Sequence, residues 1–345
     1  MTFRTWITII TVVLLGLVVY FGWPEVVQAW GLLGQVSVTV LLLLIPIQLL
    51  SYYATGGMIF SYLRSKGNLK TTSHWMMTRM ALELNFVNHI LPSGGAAGFS
   101  YLGWVLGRHG VRAGRATMAQ IIRFALTFVS FVLILVVAVI ALTLDHQIDR
   151  FIILISSILV LAAVGGIFFS IYIIGSKRRL TKFSVWLTRT VNTVVAKFTL
   201  GKKTEVLQLE VIENFFEELH QDYLEIRRDK RILVRPFLWA ILANLADVAL
   251  LSVAFLALGT WVNPAILFVA FGISSIASIF SVAPGGAGVY EAVMIAFLAS
   301  AGVPAGIAIA GTLLARVMLL LGTIVFGYIF YQLTIVRYGK NPIQR

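Results

Sequence analysis

Two short segments, Pro92-Ser93-Gly94-Gly95-Ala96-Ala97-Gly98 and Pro284-Gly285-Gly286-Ala287-Gly288, repeat one pattern at the centres of two long apolar stretches. We call them the first hinge and the second hinge. A similar tail follows each hinge: Gly110-Val111-Arg112-Ala113-Gly114 and then Arg123, and Gly302-Val303-Pro304-Ala305-Gly306 and then Arg316. Duplicated broken helices in a membrane chain are typical of transporters whose site lies near the bilayer midplane.

Composition places the chain among integral membrane proteins. Of its 345 residues, 59% are hydrophobic and only 12% are charged, and the mean hydropathy is +0.93. A soluble domain of this length could not bury so much apolar surface. The absence of cysteine excludes disulfides, thiolate metal sites and cysteine nucleophiles. The net charge of +13 fits loops that face anionic lipid, so we expect no nucleic-acid partner.

The hydrophobic segments predict an all-α polytopic membrane protein with six full transmembrane helices. Each segment holds about 20 or more mostly apolar residues, enough to cross about 30 Å of hydrocarbon. The predicted spans are 5–23, 36–62, 116–143, 151–175, 236–261 and 305–336. We interpret the first of them as a retained anchor because no convincing cleavage site follows it. Two further regions, 75–107 and 264–303, contain the hinges, and each half is short for a crossing. We therefore predict two re-entrant helical hairpins, whose broken backbone must be buried in protein or line a wet cavity.

The distribution of charge predicts the orientation of these spans. Basic residues follow the second span, the first hairpin and the span 151–175, and also end the chain. The opposite side has Glu25, Asp145 and Asp149 with a single Arg150. Both termini are therefore expected in the cytoplasm. Residues 1–145 and 150–337 then share the order span, span, hairpin, span in opposite orientations, which is an inverted repeat of the kind that supports alternating access.

Residues 176–235 form the one sizeable polar segment, a predicted cytoplasmic insertion in the second repeat. Basic residues alternate with aromatic ones from Arg179 to Phe198, as in an interfacial helix, and Glu205 to Lys230 has apolar residues at helical spacing. Two roles stay open: a structural cover or link, and regulation or partner binding.

Arg123 and Arg316 stand several residues inside apolar spans, where a charge needs a reason. An arginine fork suits the oxygens of a phosphate, so one interpretation is an anionic headgroup site. The alternative is a salt bridge to Glu291, Glu83 or Asp247 that locks the bundle, and both hold if substrate competes with the carboxylate.

Other polar residues in the apolar segments have similar alternatives. Glu291 follows the second hinge and could pair with an arginine, preferably Arg316, or carry a coupling proton. Asp247 and Asn244 lie one helical turn apart and predict either a hydrogen-bond network or a coupling-ion site. Glu83 has Arg79 four residues before it, which favours a local helix pair. His89, near the first hinge, is a hydrogen-bonded filler or a proton relay, and its neighbour Asn88 is assigned to the substrate site.

The hinge glycines are candidates for phosphate binding through backbone N–H groups. A helix that begins at a glycine turn presents its positive dipole end to an anion. Gly94, Gly95, Gly285 and Gly286 could bind a headgroup in this way, although small residues also serve close helix packing. We find no paired-histidine metal motif, no Gly-x-Ser-x-Gly and no Walker loop. No enzymatic activity, cofactor or metal is therefore predicted, nor transport driven by the chain's own ATP hydrolysis.

The two hinge regions carry a resemblance to a known family. Asn88 to Gly95 and Ser281 to Ala292 resemble the two motifs of the lysylphosphatidylglycerol synthase transmembrane-region family, the flippase-like domain at the front of the multiple peptide resistance factor. The second motif is the stronger, while the first has Phe99 and Ser100 where a glutamate commonly follows the glycine. The resemblance implies a bacterial or archaeal inner membrane and movement of phospholipid-type substrates between leaflets. The family's aminoacyl-transferring domain has no counterpart within these residues, so its lipid-modifying activity is not carried over.

The sequence thus favours a flippase-like transporter for an anionic or aminoacylated phospholipid. Membrane lipids are the expected partners, with a homo-oligomer or a lipid-synthesis protein as further ones. The alternatives are a non-transporting membrane enzyme or accessory subunit of lipid or glycan assembly, and a small-solute carrier.

Overall fold

The computed structural model describes residues 36–90, 96–144, 150–198, 227–279 and 288–338, with Gly31, Gly34 and single positions between 212 and 224. Its regular structure over these residues is helical throughout. The helices are α1 Val38–Leu41, α2 Leu44–Ser65, α3 His74–Ile90, α4 Ala96–Arg108, α5 Ala113–Leu144, α6 Arg150–Ile174, α7 Lys177–Phe198, α8 Val234–Ala257, α9 Pro264–Ile279, α10 Val289–Ser300 and α11 Ala305–Tyr338. A 3₁₀ turn, Lys230–Leu233, precedes α8.

Four helical segments are long and apolar enough to cross a membrane, and they confirm four of the predicted spans. They are Val38–Ser65, Arg115–Leu144, Lys230–Ala257 and Ala305–Tyr338. A fifth exists if Val160–Ile174 and Lys177–Thr193, bent by 109° at their junction, count as one span. The predicted span 151–175 therefore forms a helix, but it counts as a crossing only with part of α7. The predicted first span, 5–23, lies outside the described residues.

Each predicted hairpin region contains one helix before its hinge and one helix after it, and the two helices pack together. Helices α3 and α4 pack together, as do α9 and α10. These helices have 17, 13, 16 and 12 residues. At 1.5 Å per residue the longest spans about 26 Å, which is short of the roughly 30 Å of a hydrocarbon core. How deep each pair enters the membrane stays a prediction, and residues 91–95 and 280–287 of the hinges lie outside the described residues.

The two predicted repeats share their helix ends. Three pairs of boundaries are each separated by 192 residues: Ser65 with Ala257, Arg108 with Ser300, and Ala113 with Ala305. The turns agree as well, because a glycine at positive φ follows each of the four helix ends Ser65, Ala257, Arg108 and Ser300 by two residues. These glycines are Gly67 (82°), Gly259 (74°), Gly110 (76°) and Gly302 (85°). Only glycine adopts such angles without strain, so it ends these helices. The two halves are thus built alike, while their opposite orientation stays a prediction.

The last helix of each repeat packs against a hairpin helix of the other repeat. Helix α11 packs on α3, and α5 packs on α9. Glycines allow these close approaches: a Cβ at Gly327 would lie 2.5 Å from Cβ of Phe86, and one at Gly272 would lie 2.4 Å from Cζ of Phe131. Small residues at crossings are what membrane helices use in place of a hydrophobic driving force. Helices α2–α5 and α9–α11 therefore share contacts across the two repeats.

Residues 161–234 form a separate compact unit that includes the predicted insertion 176–235 except for its last residue. Within it, α7 has a charged face and an apolar face. Lys177 pairs with Glu217, and the ring of Phe183 packs edge-on against Phe216 at 5.8 Å between centroids. The large side chain of Trp186 is exposed. This pattern is that of an amphipathic helix, and its placement on the cytoplasmic surface stays a prediction.

Candidate functional site

The second hinge leads into a buried ion pair. Gly288 is the N-cap of α10 at φ 86°, and its N–H donates to Oε2 of Glu291 at 2.6 Å. The other carboxylate oxygen, Oε1, lies 2.9 Å from Nε of Arg316 on α11. The side chains of Arg316 and Glu291 are only 17% and 13% exposed. The preferred pairing of Glu291 with Arg316 is confirmed, and Glu291 also caps its own helix.

The Arg316–Glu291 contact depends on charge more than on a linear hydrogen bond. The Nε–H group does not point closely enough at Oε1 to meet hydrogen-bond geometry, although the two atoms are in ion-pair range. The guanidinium also lies over the ring of Tyr290, 4.9 Å from its centroid. An aromatic face and a carboxylate together stabilise a buried cation.

A polar cavity of about 250 Å³ lies beside this ion pair, within the bundle. Six helices line it: α2, α3, α8, α9, α10 and α11. Its polar lining consists of Gln48, Ser51, Tyr52, Asn85, Asp247, Tyr290, Arg316 and Thr323. Both repeats contribute to the lining. The cavity brings Asp247 and Arg316, two of the predicted site residues, to one surface.

Asp247 is held by α2. The hydroxyl of Ser51 donates to Oδ1 of Asp247 at 2.7 Å. On the same helix, the amide nitrogen of Gln48 donates to the Tyr52 hydroxyl and to the Leu319 carbonyl, both at 2.9 Å. A Cβ at Gly322 would lie 2.1 Å from Oε1 of Gln48, so a glycine is needed there for Gln48 to reach α11. The sequence analysis missed Gln48, Ser51 and Tyr52, although their i, i+3, i+4 spacing marks one polar face on an apolar helix.

Asn244 lies one helical turn before Asp247 but contacts a different helix. Its side-chain nitrogen donates to the Thr127 carbonyl at 3.0 Å and to the Ser130 hydroxyl at 2.6 Å, and Asn244 is 3% exposed. These bonds join α8 to α5. The hydrogen-bond network predicted at Asn244 is thus present, and a coupling role for Asp247 stays a prediction.

Glu83 forms the predicted local pair with Arg79, with Nε and Oε1 2.8 Å apart. Glu83 is 1% exposed and also accepts from the hydroxyls of Tyr101 and Thr334, each at 2.7 Å. Arg79 donates to Thr334 Oγ1 as well. This network fastens α3 to α4 and α11 and accounts for Glu83 structurally.

Two polar side chains meet at Gly98, the last residue of the first hinge. A Cβ on Gly98 would lie 2.2 Å from Oδ1 of Asn88, so the two groups are in contact. The side-chain nitrogen of Gln120 reaches the Gly98 carbonyl at 3.5 Å. Arg123, one turn along α5 from Gln120, lies over the Phe124 ring, 4.3 Å from its centroid. The side chain of His89 and the glycines Gly94, Gly95, Gly285 and Gly286 lie outside the described part of the chain.

The chain matches the model of one protein family over most of its length. The model of the lysylphosphatidylglycerol synthase transmembrane region matches residues 6–327. The chain belongs to this family. No curated protein matches the chain. Family and apolar helices together make the chain a multi-pass membrane protein related to lipid handling.

Proposed function

We propose that this chain moves an anionic or aminoacylated phospholipid-type substrate between the leaflets of a bacterial or archaeal inner membrane by alternating access. It does so without enzymatic chemistry and without a cofactor, and both termini face the cytoplasm. The observation that carries the proposal is the polar cavity shared by the two repeats. A cavity with a carboxylate and a guanidinium lowers the stability of an apolar bundle, so stability does not account for it. In membrane proteins such groups mark substrate or ion pathways.

In this proposal the headgroup travels through the polar interior while the acyl chains stay in lipid. The described cavity volume of about 250 Å³ is near the lower end of small-molecule sites, enough for part of a phospholipid headgroup. Arg316 stays paired with Glu291 in this structure, so the ion pair borders the path of the headgroup without offering it a free charge. The glycines of the two hinges are expected to offer backbone N–H groups to the anion.

The proposal is tested by blocking the cavity. Because the chain has no cysteine, Thr323→Cys places a unique thiol in the cavity lining. A matched Val317→Cys places one on the same helix at a position that is 49% exposed. Both variants are reconstituted into liposomes that contain a fluorescent phosphatidylglycerol, and leaflet exchange is followed by dithionite quenching. A charged thiol reagent should slow exchange in Thr323→Cys and leave Val317→Cys unchanged. Equal effects on both variants, or none on either, would remove the cavity from the pathway.

A further inference from the structure

The two pseudo-equivalent arginines differ in their charge balance. Arg316 is neutralised by Glu291, and Arg79, another arginine of the apolar bundle, by Glu83. Among the described residues, no carboxylate forms an ion pair with Arg123, and its Nε has no hydrogen-bond partner. The hinge segments outside the described residues, 91–95 and 280–287, contain no aspartate or glutamate. A cation without an anion in an apolar bundle destabilises the folded protein. We therefore look for a ligand that neutralises Arg123.

The sequence explains how this asymmetry arises. Helices α4 and α10 end at equivalent residues, Arg108 and Ser300, and Glu291 lies nine positions before the end of α10. The same count places Phe99 on α4, so the first repeat has no carboxylate at this position. The arginines themselves are also out of step, because the helix starts differ by 192 residues and the arginines by 193. One residue rotates a side chain by about 100° around the helix, so Arg123 does not take the place of Arg316.

Two further polar groups next to Arg123 are buried with unused capacity. Gln120 is 1% exposed, and its Oε1 has no hydrogen-bond partner within the described residues. The same is true of Oδ1 of Asn88, which lies against Gly98 with Gln120. Buried polar groups in native proteins are almost always satisfied, so unsatisfied atoms at one place indicate a missing partner. Gln120 has a second side-chain N–H besides the one that it donates to Gly98, and the Asn88 amide can rotate to present its NH₂ group, so both residues can donate to an anion.

The surroundings of Arg123 also indicate how a ligand reaches it. Its guanidinium lies against the ring of Phe124, and Phe124 is 46% exposed on the bundle surface. A group at this depth is therefore close to the surface that α5 presents outward. A ligand with acyl chains could bind from the side and keep its chains in the bilayer.

We propose that one phosphate-type oxyanion binds on Arg123, with Gln120 and Asn88 as additional donors, and that none binds at the counterpart Arg316, which Glu291 neutralises. This inference deepens the proposed function, because it names the residue that first holds the headgroup. It assigns the two arginines different roles: Arg123 binds the anion, and Arg316 belongs to a neutral ion pair at a capped helix start.

The test measures ligand-induced stabilisation of the full chain in uncharged nanodiscs. A ligand that binds only the folded state adds RT ln(1 + [L]/Kd) to the free energy of unfolding and so raises the melting temperature. Phosphatidic acid is titrated into the nanodiscs, diacylglycerol serves as the uncharged control, and glycerol 3-phosphate is added from solution. Stabilisation by phosphatidic acid alone identifies a lipid headgroup as the source of the phosphate, and equal stabilisation by glycerol 3-phosphate identifies a soluble phosphate ester. Failure of both to stabilise the wild-type chain overturns the site.

The variants separate the two arginines. Arg123→Gln should weaken phosphate binding about tenfold or more, the scale expected when a charge-assisted hydrogen bond is lost. Its melting temperature without ligand should fall little, because only the contact with the Phe124 ring is lost. Arg123→Lys should recover part of the affinity, since the charge remains and the fork is lost. The double variant Glu291→Gln with Arg316→Gln should bind as the wild type does. Arg115→Gln, on the exposed start of the same helix, controls for net charge.

The outcomes separate this inference from the proposed function. Unchanged binding in Arg123→Gln, or lost binding in the double variant, overturns the asymmetric site even if the protein transports lipid. A large loss of stability in Arg123→Gln also overturns it, because it would reveal a structural partner. Normal binding at Arg123 with no transport by the wild type would instead refute the transport function and leave the site in place.

Discussion

Glu291 has two duties, and substitutions can separate them. One carboxylate oxygen accepts the Gly288 N–H, and the other pairs with Arg316. Glu291→Gln keeps an acceptor for the helix cap and removes only the charge, because glutamine also serves in a capping box. Glu291→Leu removes both. The difference between the two variants therefore reports the cap, and the loss in Glu291→Gln reports the ion pair.

The structure gives the scale of these losses. Removing one partner of a buried ion pair costs about 3–5 kcal/mol because the other charge stays buried. The residual exposure of 17% and 13% places Glu291→Gln at the low end, so we expect about 3 kcal/mol of lost unfolding free energy. Loss of the cap should add about 1 kcal/mol in Glu291→Leu. In the double variant Glu291→Gln with Arg316→Gln, most of the loss should be recovered.

Reversible unfolding in mixed micelles with increasing sodium dodecyl sulfate measures these free energies. Wild type, Glu291→Gln, Arg316→Gln and the double variant form a double-mutant cycle, and we expect a coupling energy of about 2 kcal/mol or more. Gln48→Leu, at the other side of the cavity, is a control that removes hydrogen bonds but no charge. Additive losses in the cycle would refute the reasoning, since they would mean that the Arg316 charge is stabilised by something other than Glu291.

Three further predictions concern packing, polar contacts and topology. Gly311→Ala should cost about 1–3 kcal/mol because its Cβ would lie 2.3 Å from Cε1 of a fully buried phenylalanine, whereas Gly103→Ala, with open space around it, should be neutral or stabilising in the same unfolding assay. Asn244→Leu should cost about 1 kcal/mol, the scale of hydrogen bonds between membrane helices, and a loss below the error of the measurement would show that water replaces the amide. Arg112→Cys and Pro304→Cys, at exposed counterpart positions of the two turns, should react with an impermeant thiol reagent from the cytoplasm and from the outside respectively, and reaction of both from one side would contradict the inverted repeat.

Much of the fold was predictable because the signals were local. Long apolar runs located four spans, and the glycine-rich hinges located the breaks between paired helices. The pair Arg79–Glu83 followed from i, i+4 spacing alone. The pair Glu291–Arg316 was inferred from the shared hairpin and confirmed at 2.9 Å. The predicted span 151–175 forms a helix, but hydropathy did not predict the sharp bend between Ile174 and α7.

The cavity was not predictable because its lining joins residues far apart in the chain. Ser51 and Asp247 are separated by 196 positions, and no pattern in one sequence pairs them. The difference between the arginines was equally hidden. Both follow a hinge and a similar tail, yet one position of helix register and the phenylalanine at 99 leave Arg123 without the carboxylate that Arg316 has. Sequence symmetry identified the two arginines, and only their contacts showed that they differ.

The central claim, that the chain carries phospholipid across the bilayer, is tested most directly by the rate of leaflet exchange in proteoliposomes. Fluorescent phosphatidylglycerol is placed in both leaflets, dithionite removes the outer fluorescence at once, and the rate at which the protected inner fluorescence then decays is measured. We expect this decay to be fast with the wild-type protein, slow with Arg123→Gln and as fast with Arg115→Gln as with the wild type. Exchange no faster with the wild-type protein than in protein-free liposomes, for phosphatidylglycerol and for an aminoacylated lipid alike, would contradict the account.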